Sequence, residues 1–320
     1  LTHSSKALLE ELNLWNLVEK EANYFDLLYL KDCRFKSKVL FSINDLTFNN
    51  ANTKSIGWII DHQILMSILY KEIDRISNIQ QLFSYQNQHY ISDQDIVFAA
   101  DGPFSNIRNK FNIKRITHQY KQGCLTAKVI IRGINPHIAY ELLRSEGPLA
   151  ILPVDDQVYQ IVWTSNYQKC LKLSKLSPAN FLDYLATVLP DGFEPDILIG
   201  QQSAFPLDIS FTPIPFKDNV LLVGEAHHRC HPVGGQGLNL CWRDVKEIKS
   251  LLHRKYNLRI FKYIYLFKRT FDILFVLMIT DLTVRLYSTN FLPFALLRYP
   301  ILYILRKLEP IRKLTLSIMT

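Results

Sequence analysis

The side chains with the most chemical potential in this 320-residue chain crowd into one stretch, residues 224–240, GEAHHRCHPVGGQGLNL. His227, His228, Cys230 and His231 place four metal-capable groups within five residues. Pro232 and the glycines Gly234, Gly235 and Gly237 follow at once. Two chemistries compete for this stretch. A metal site is disfavoured by the density itself, because consecutive loop side chains diverge and zinc sites draw pairs of ligands from separated segments. No second His or Cys cluster and no CxxC pair occurs elsewhere, so we expect no metal. The glycine run has a different use. It lets backbone N–H groups approach a ligand closely, at a helix start that favours negative charge. Glu225 follows the apolar run 220–223, at the strand edge where open α/β sheets bind ligands. A carboxylate there suits the hydroxyls of a sugar or ribityl chain.

A second junction lies at residues 99–108, AADGPFSNIR. An apolar run ends at Asp101-Gly102, and Ser105 is placed to cap a helix. Alone, this motif is a turn with an N-cap.

The elements that position these two junctions can be read from periodicity. SSKALLEELNLWNLV is an amphipathic helix with Ser4 or Ser5 as its expected N-cap. YFDLLYL and KVLFSIN alternate as strands, and GWIIDHQILMSILY is a short strand running into a helix. Residues 118–165 hold several strand-like runs. SPANFLDYLATVL is a helix capped by Ser177 with Pro178 at its first position. A buried strand precedes Gly224, a long helix is expected over 234–252, and the final third is helical and punctuated by prolines. Strands and helices alternate in the outer parts around a β-rich insertion, which makes the fold class α/β with an inserted sheet domain.

Bulk composition narrows the function. Between residues 256 and 320, ten Lys/Arg stand against three Asp/Glu, which is nearly all of the net charge of +8. That basic segment favours an anionic partner. Nucleic acid is not expected, since no recognition motif or aromatic stacking platform is present. Five scattered cysteines, Cys33, Cys124, Cys170, Cys230 and Cys241, read as reduced thiols in a cytoplasmic protein. No signal-peptide pattern is seen, and the apolar run 273–280 is far short of the roughly 20 residues a spanning helix needs.

Together the two junctions resemble the class A flavoprotein aromatic hydroxylases, and within them the ubiquinone-biosynthesis hydroxylase branch. The Asp-Gly motif is matched by Asp101, Gly102, Ser105 and Arg108. The later motif is matched by Gly224, Glu225, Ala226, His228, Pro232, Gly235, Gln236, Gly237 and Asn239, then Arg243-Asp244. WIIDHQILMSIL, AYELLRSEGPLAILPV, YQIVWT and TDLTVRLYSTNFLPFALLR are similar too, so the resemblance covers essentially the whole chain.

The resemblance implies a Rossmann-like FAD/NAD(P)-binding domain of the glutathione-reductase type, an inserted mixed or antiparallel substrate sheet, and a C-terminal helical region. In residue terms, 1–110 would be part of the FAD domain with some substrate-sheet strands. Residues 111–205 would be the β-rich substrate domain, 206–253 the FAD domain again, and 254–320 the helical region. It also implies non-covalent FAD reduced by NADPH or NADH, then transfer of one oxygen from O2 to an aromatic, lipid-soluble ring. FAD would be held by Asp101, Gly102, Ser105, Arg108, Gly224, Glu225, Ala226, Pro232, Gly234, Gly235, Gln236, Gly237, Leu238 and Asn239. Pro232 and Gly235 would lie at the reacting ring.

Three departures accompany the resemblance. No Gly-x-Gly-x-x-Gly turn occurs, and LTHSSKALLEELNLW normally sits some tens of residues into the family's chain, so the ADP-gripping unit is expected to be missing. Glu225 stands where the family has Asp. The polar stretch 71–96 is shorter than the family's hairpin. The alternative reading is therefore a non-catalytic member, an assembly subunit of a membrane-associated quinone-synthesis complex. Either way, residues 256–320 offer a basic amphipathic surface for peripheral attachment to the inner face of a membrane.

Overall fold

The computed structural model describes residues 1–35, 37–46, 54–83, 96–288 and 292–319. The N-terminal amphipathic run folds as α1 (His3–Glu11) and α2 (Trp15–Glu19). Its N-cap is Thr2, not Ser4 or Ser5, and no side chain caps the first turn. The reason is tertiary: Ser5 Oγ donates instead to Asn239 Oδ1 at 2.9 Å, a partner that local sequence does not reveal.

Next come β1 (Asn23–Phe25), β2 (Leu27–Asp32), β3 (Ser37–Ser42) and β4 (Gly57–Ile59), then α3 (His62–Asp74). Asp61 caps α3 by accepting from Gln63 N at 2.7 Å. Of the polar stretch 71–96, residues 84–95 lie outside the described ones. The first junction is β5 (Val97–Ala99) and α4 (Asn106–Lys110). The middle of the chain is β6 (Ile116–Arg132), β7 (Ile138–Leu143), β8 (Leu149–Pro153), β9 (Val158–Asn166), α5 (Tyr167–Leu173), α6 (Pro178–Ala186) and β10 (Glu194–Phe211). Ser177 caps α6 and Pro178 fills its first turn, where a missing N–H costs nothing. The chain closes with β11 (Phe216–Lys217), β12 (Val220–Leu222), β13 (His228–Arg229), α7 (Gln236–His253), α8 (Leu258–Tyr287), α9 (Leu292–Lys307) and α10 (Glu309–Met319).

Eight strands form the main sheet, in the order β13-β10-β6-β9-β8-β7-β2-β3. All its pairs are antiparallel except β2 with β7. β2 and β3 thus join the β-rich middle of the chain, and β10 runs unbroken past residue 205. One face of the sheet, carrying Leu125, Leu149, Ile161 and Trp163, packs on Phe181 and Leu185 of α6 and on Leu173 of α5. Those side chains are almost fully buried and make the largest core of the molecule. A smaller sheet, β11-β12-β5, carries both candidate junctions. No helix among the described residues is long and apolar enough to cross a membrane.

Candidate functional site

β5 and β12 are parallel neighbours in register Val97–Val220, Phe98–Leu221 and Ala99–Leu222. Val220, Leu221 and Leu222 are fully buried, as a strand covered on both faces must be. Because the pair is parallel, both junctions leave from the same edge, the carboxyl ends of the strands. Val223 N donates to Ala99 O at 2.9 Å and holds the two ends together. Each chain then turns through a glycine with positive φ, Gly102 at 81° and Gly224 at 60°.

After the first turn, Asp101 and Ser105 use their side chains to cap α4. Asp101 Oδ2 accepts from Ile107 N at 3.1 Å, and Ser105 Oγ accepts from Arg108 N at 2.9 Å. That aims the buried Arg108 at the second junction. Its Nη1 donates to Ala226 O and its Nη2 to Pro103 O, each at 3.1 Å. Burial pulls this guanidinium below its ordinary range. Arg108 therefore clasps the two motifs directly, across 118 residues of sequence.

The second turn, Gly224–Ala226, is held by Asp244 of α7. One oxygen, Oδ2, accepts from Gly224 N at 2.9 Å and meets His228 Nε2 at 2.8 Å. The other, Oδ1, takes Arg269 Nε of α8 at 2.7 Å. Burial pushes this carboxyl up, but contact with His228 and Arg269 outweighs it and holds the group well below the carboxylate range. Metal-capable atoms of His227, His228 and Asp244 do lie within 4.8 Å of one another, a grouping the sequence expectation of no metal did not foresee. The Asp244 carboxylate is already shared among the Arg269 guanidinium, the His228 imidazole and the Gly224 N–H, so it is the hub of this turn, with His227 packed beside it. His227 is buried with neither ring nitrogen hydrogen-bonded among the described residues, and burial, then the neighbouring His228, pushes it down to about 3. His231 accepts from Val233 N at 3.2 Å and is pushed down to about 4 by burial. Burial also raises Cys230 to about 11 and Cys241 to about 12, so neither is a reactive thiolate.

Pro232 leads into the turn Val233–Gly235, where Gly234 has φ 72° and Gly235 φ 61°. Gly235 is the N-cap of α7 and offers no side chain, so the first N–H groups of an 18-residue helix face outward uncapped. A Cβ added at Gly235 or Gly102 meets no atom within 4 Å. The backbone there is open to a ligand, as a polar or anionic ligand edge requires. Asn239 fixes the loop: its Nδ2 donates to Gly235 O at 3.1 Å while its Oδ1 accepts from Ser5 Oγ and from Thr2 N. Gln236 Nε2 donates to Gly234 O at 3.1 Å, and Arg243 Nη2 donates to Gln236 Oε1 at 3.3 Å. Gly237 lies against Cys230 Sγ and Leu238 is half-exposed. Glu225 stands partly exposed, 3.8 Å from Arg229 Nε.

The sequence-predicted residues thus form two adjoining groups. Asp101, Gly102, Ser105 and Arg108 meet Gly224, Glu225 and Ala226 through the clasp. Pro232 and Gly234 to Asn239 form the neighbouring helix start. Asp101 and Ser105 act through α4, with their side chains spent as caps. Sequence reasoning missed the roles of Asp244 and Arg269, and it missed Glu141 of β7, whose carboxyl burial raises to about 7 against the opposing pull of the Gly234 N–H. An acid inside the apolar strand IAYELL was the available signal for Glu141.

Residues 84–257 match the FAD binding domain family. The chain belongs to that family. An uncharacterized protein of Synechocystis is 26% identical over 341 residues, covering 99% of this chain and 81% of the relative. The mitochondrial ubiquinone biosynthesis monooxygenase COQ6 of Danio rerio is 23% identical, covering 79% of this chain and 66% of its own length. This chain therefore spans about two thirds of that curated relative. The crystal structure of p-nitrophenol 4-monooxygenase PnpA from Pseudomonas putida superposes with a TM-score of 0.76 at 13% identity, covering 98% of this chain and 86% of the other. The fold is that of the class A flavin monooxygenases, and the chain is a member of these FAD-dependent enzymes related to COQ6. The open glycine backbone, the uncapped helix start and Glu225 fit the flavin and ribityl side of FAD.

Proposed function

We propose that this chain hydroxylates the ring of a lipid-soluble phenol or quinol in ubiquinone-type quinone biosynthesis, using FAD, O2 and NADPH or NADH. The observation that carries the reading is the paired exit of β5 and β12 beside the open glycine loop, clasped by Arg108. COQ6 relatives supply the quinone context, and PnpA, by its name, acts on a phenol.

Bound FAD supplies hydride acceptance and O2 activation at this edge. Glu225 would meet the ribityl chain, and Pro232 and Gly235 would lie beside the ring. Gly237, Leu238 and Asn239 would present N–H groups and the helix start to the pyrimidine end, where negative charge gathers on reduction. Arg108 and Asp101 would border the cofactor and the nicotinamide path. No residue of this sequence is assigned to the ADP end, and among the described residues β5 is an edge strand of its sheet. Residues 1–110 and 206–253 would form the FAD-side unit and 111–205 most of the substrate sheet.

The C-terminal helices support a peripheral membrane placement. Along α8, Ile260, Tyr263, Phe267, Phe271, Met278 and Leu282 form an exposed apolar stripe, with Phe267 and Phe271 each more than two-thirds exposed. Arg259 and Lys268 lie beside it on the same helix. An anionic bilayer complements both the apolar stripe and the basic segment, and a quinone precursor would be dissolved in it.

The test is reconstitution of the purified chain with FAD. Flavin fluorescence should change on binding, and a prenylated phenol should stimulate NAD(P)H oxidation and gain one oxygen. A chain that binds vesicles or partner enzymes but takes up no flavin would overturn this reading in favour of a non-catalytic assembly subunit.

A further inference from the structure

We propose that a cavity at the start of α8 holds the phosphate of an anionic lipid headgroup, an assignment that rests on the peripheral membrane placement above and not on the hydroxylase chemistry. The cavity is open to solvent and measures about 480 Å³. One wall is the β11–β12 hairpin, with Phe216, Lys217 and Asp218, and the other is the first turns of α8, with Arg259, Lys262 and Tyr263. Lys217 pairs with Val220 across the hairpin, so Asp218 and Asn219 form its two-residue turn, with Asp218 at φ 50°. Three cations, Lys217, Arg259 and Lys262, thus border one space against the single acid Asp218.

Lys262 is the deciding residue. It is only 9% exposed, yet among the described residues its ammonium makes no ion pair and no hydrogen bond. Its Nζ lies 5.7 Å from the centre of the Phe216 ring, which meets Tyr263 edge-to-face at 5.5 Å. Burial pulls the ammonium below its ordinary range, with Asp218 opposing. A lysine this buried normally has an anionic partner, because an unpaired charge out of water is costly. The face of Phe216 offsets part of that cost, and an anion in the cavity would offset the rest. The backbone favours the same ligand. Asn257 Oδ1 caps α8 by accepting from Ile260 N at 2.9 Å. The N–H groups of Leu258 and Arg259 are left without an intrahelical acceptor, and such a helix start attracts phosphate.

The cavity lies at the opposite edge of the small sheet from the flavin-side turn. It opens before Val220, the first residue of β12, whereas that turn begins at Gly224, past the strand's carboxyl end. Cofactors of open α/β sheets bind at the carboxyl ends, so the phosphates of FAD are not this cavity's ligand. The lipid source follows from Tyr263, which belongs both to the cavity wall and to the exposed apolar stripe of α8. An anion held there sits at the rim of the stripe, at the level where a bilayer carries its phosphates and where tyrosine rings gather.

The full chain is cosedimented with phosphatidylcholine vesicles containing either phosphatidylglycerol or oleate, matched in surface potential. Lys262→Met keeps an unbranched stem against Phe216 and removes the ammonium. Arg306→Gln, on α9 and outside the cavity wall, removes one charge from the same basic segment. Wild type and Arg306→Gln should both bind the phosphatidylglycerol vesicles about tenfold more tightly than the oleate vesicles, and Lys262→Met should lose that preference. Lys217→Gln, at an exposed hairpin position, should narrow the preference in the same sense, which keeps the test decisive if Lys262→Met fails to fold. A ratio that is the same in wild type and all three variants would overturn the cavity and leave the membrane placement standing as a diffuse attraction. Calorimetry with inorganic phosphate separates the two sources. If the free ion binds wild type but not Lys262→Met while the vesicle preference is absent, the cavity takes free phosphate and the lipid assignment falls. A wild type that sediments with neither vesicle overturns the lipid assignment together with the placement beneath it.

Discussion

Replacing His227 by Phe should change how stability depends on acid, by an amount that can be worked from its burial. In the folded protein His227 stays neutral down to about pH 3, whereas in the unfolded chain it takes a proton near the ordinary value of 6.5. Acid therefore favours the unfolded state. The stability this group confers is fully present above 6.5 and drains away as pH falls toward 3. One extra proton on the unfolded chain corresponds to about 1.4 kcal/mol per pH unit, or about 3 kcal/mol between pH 6.5 and 4. The ring is fully buried, so solvent does not screen the effect. His227→Phe removes it. Phe is larger, and any packing strain will lower stability at every pH by the same amount. The slope difference survives that offset, and titrating groups remote from His227 cancel between the two proteins. Urea denaturation at several pH values from 4 to 7 gives the comparison directly. The variant should gain on wild type as pH falls, along a line of about 1.4 kcal/mol per unit. Two parallel curves would refute the reasoning, since His227 would then carry its proton equally well folded and unfolded.

Other substitutions test the rest of the site. Glu141→Gln should do the reverse of His227→Phe: Glu141 is raised from 4.5 to about 7, so its ionisation opposes folding progressively above 4.5, and the variant should gain about 1–2 kcal/mol by pH 8 after allowance for half-burial, as read by urea titration. Gly235→Ala should cost about 1 kcal/mol of stability from its φ of 61°, but weaken FAD binding more than tenfold, because the added Cβ collides with nothing inside the protein. Arg108→Lys cannot reach both Ala226 O and Pro103 O, and should lower FAD affinity on fluorescence titration while leaving secondary structure intact. Asp244→Ala leaves Arg269 buried without its main partner and should cost about 3–5 kcal/mol in a melting experiment. Phe267→Ser with Phe271→Ser should abolish cosedimentation with anionic vesicles without altering flavin binding.

What the sequence revealed depended on how local each signal was. Asp101-Gly102 and the Pro232–Asn239 run were legible because turns with positive φ and helix starts are written in consecutive residues. The pairing of β5 with β12 joins segments more than 100 residues apart, and only the family resemblance brought them together. Glu141 and the Gly234 N–H that pulls against its raised pKa are 93 positions apart, a relation that no local pattern encodes. Ser5 looked like a cap because its distant partner Asn239 could not be seen. The histidine cluster was legible as unusual, but Asp244, which organises it, lies a further 16 residues on from His228.

Asp244 also decides where this protein can be cut. The family match ends at residue 257, at the threshold of α8, which makes that point look like a domain border. Yet the cation that neutralises Asp244 is Arg269, on the far side of it. A truncation at 257 would strip the buried carboxylate of its counter-charge and, through the same carboxylate, loosen the Gly224 turn. Helix α8 and the Gly224 turn are in that sense one cooperative unit, and a chain shortened at 257 should fail to fold.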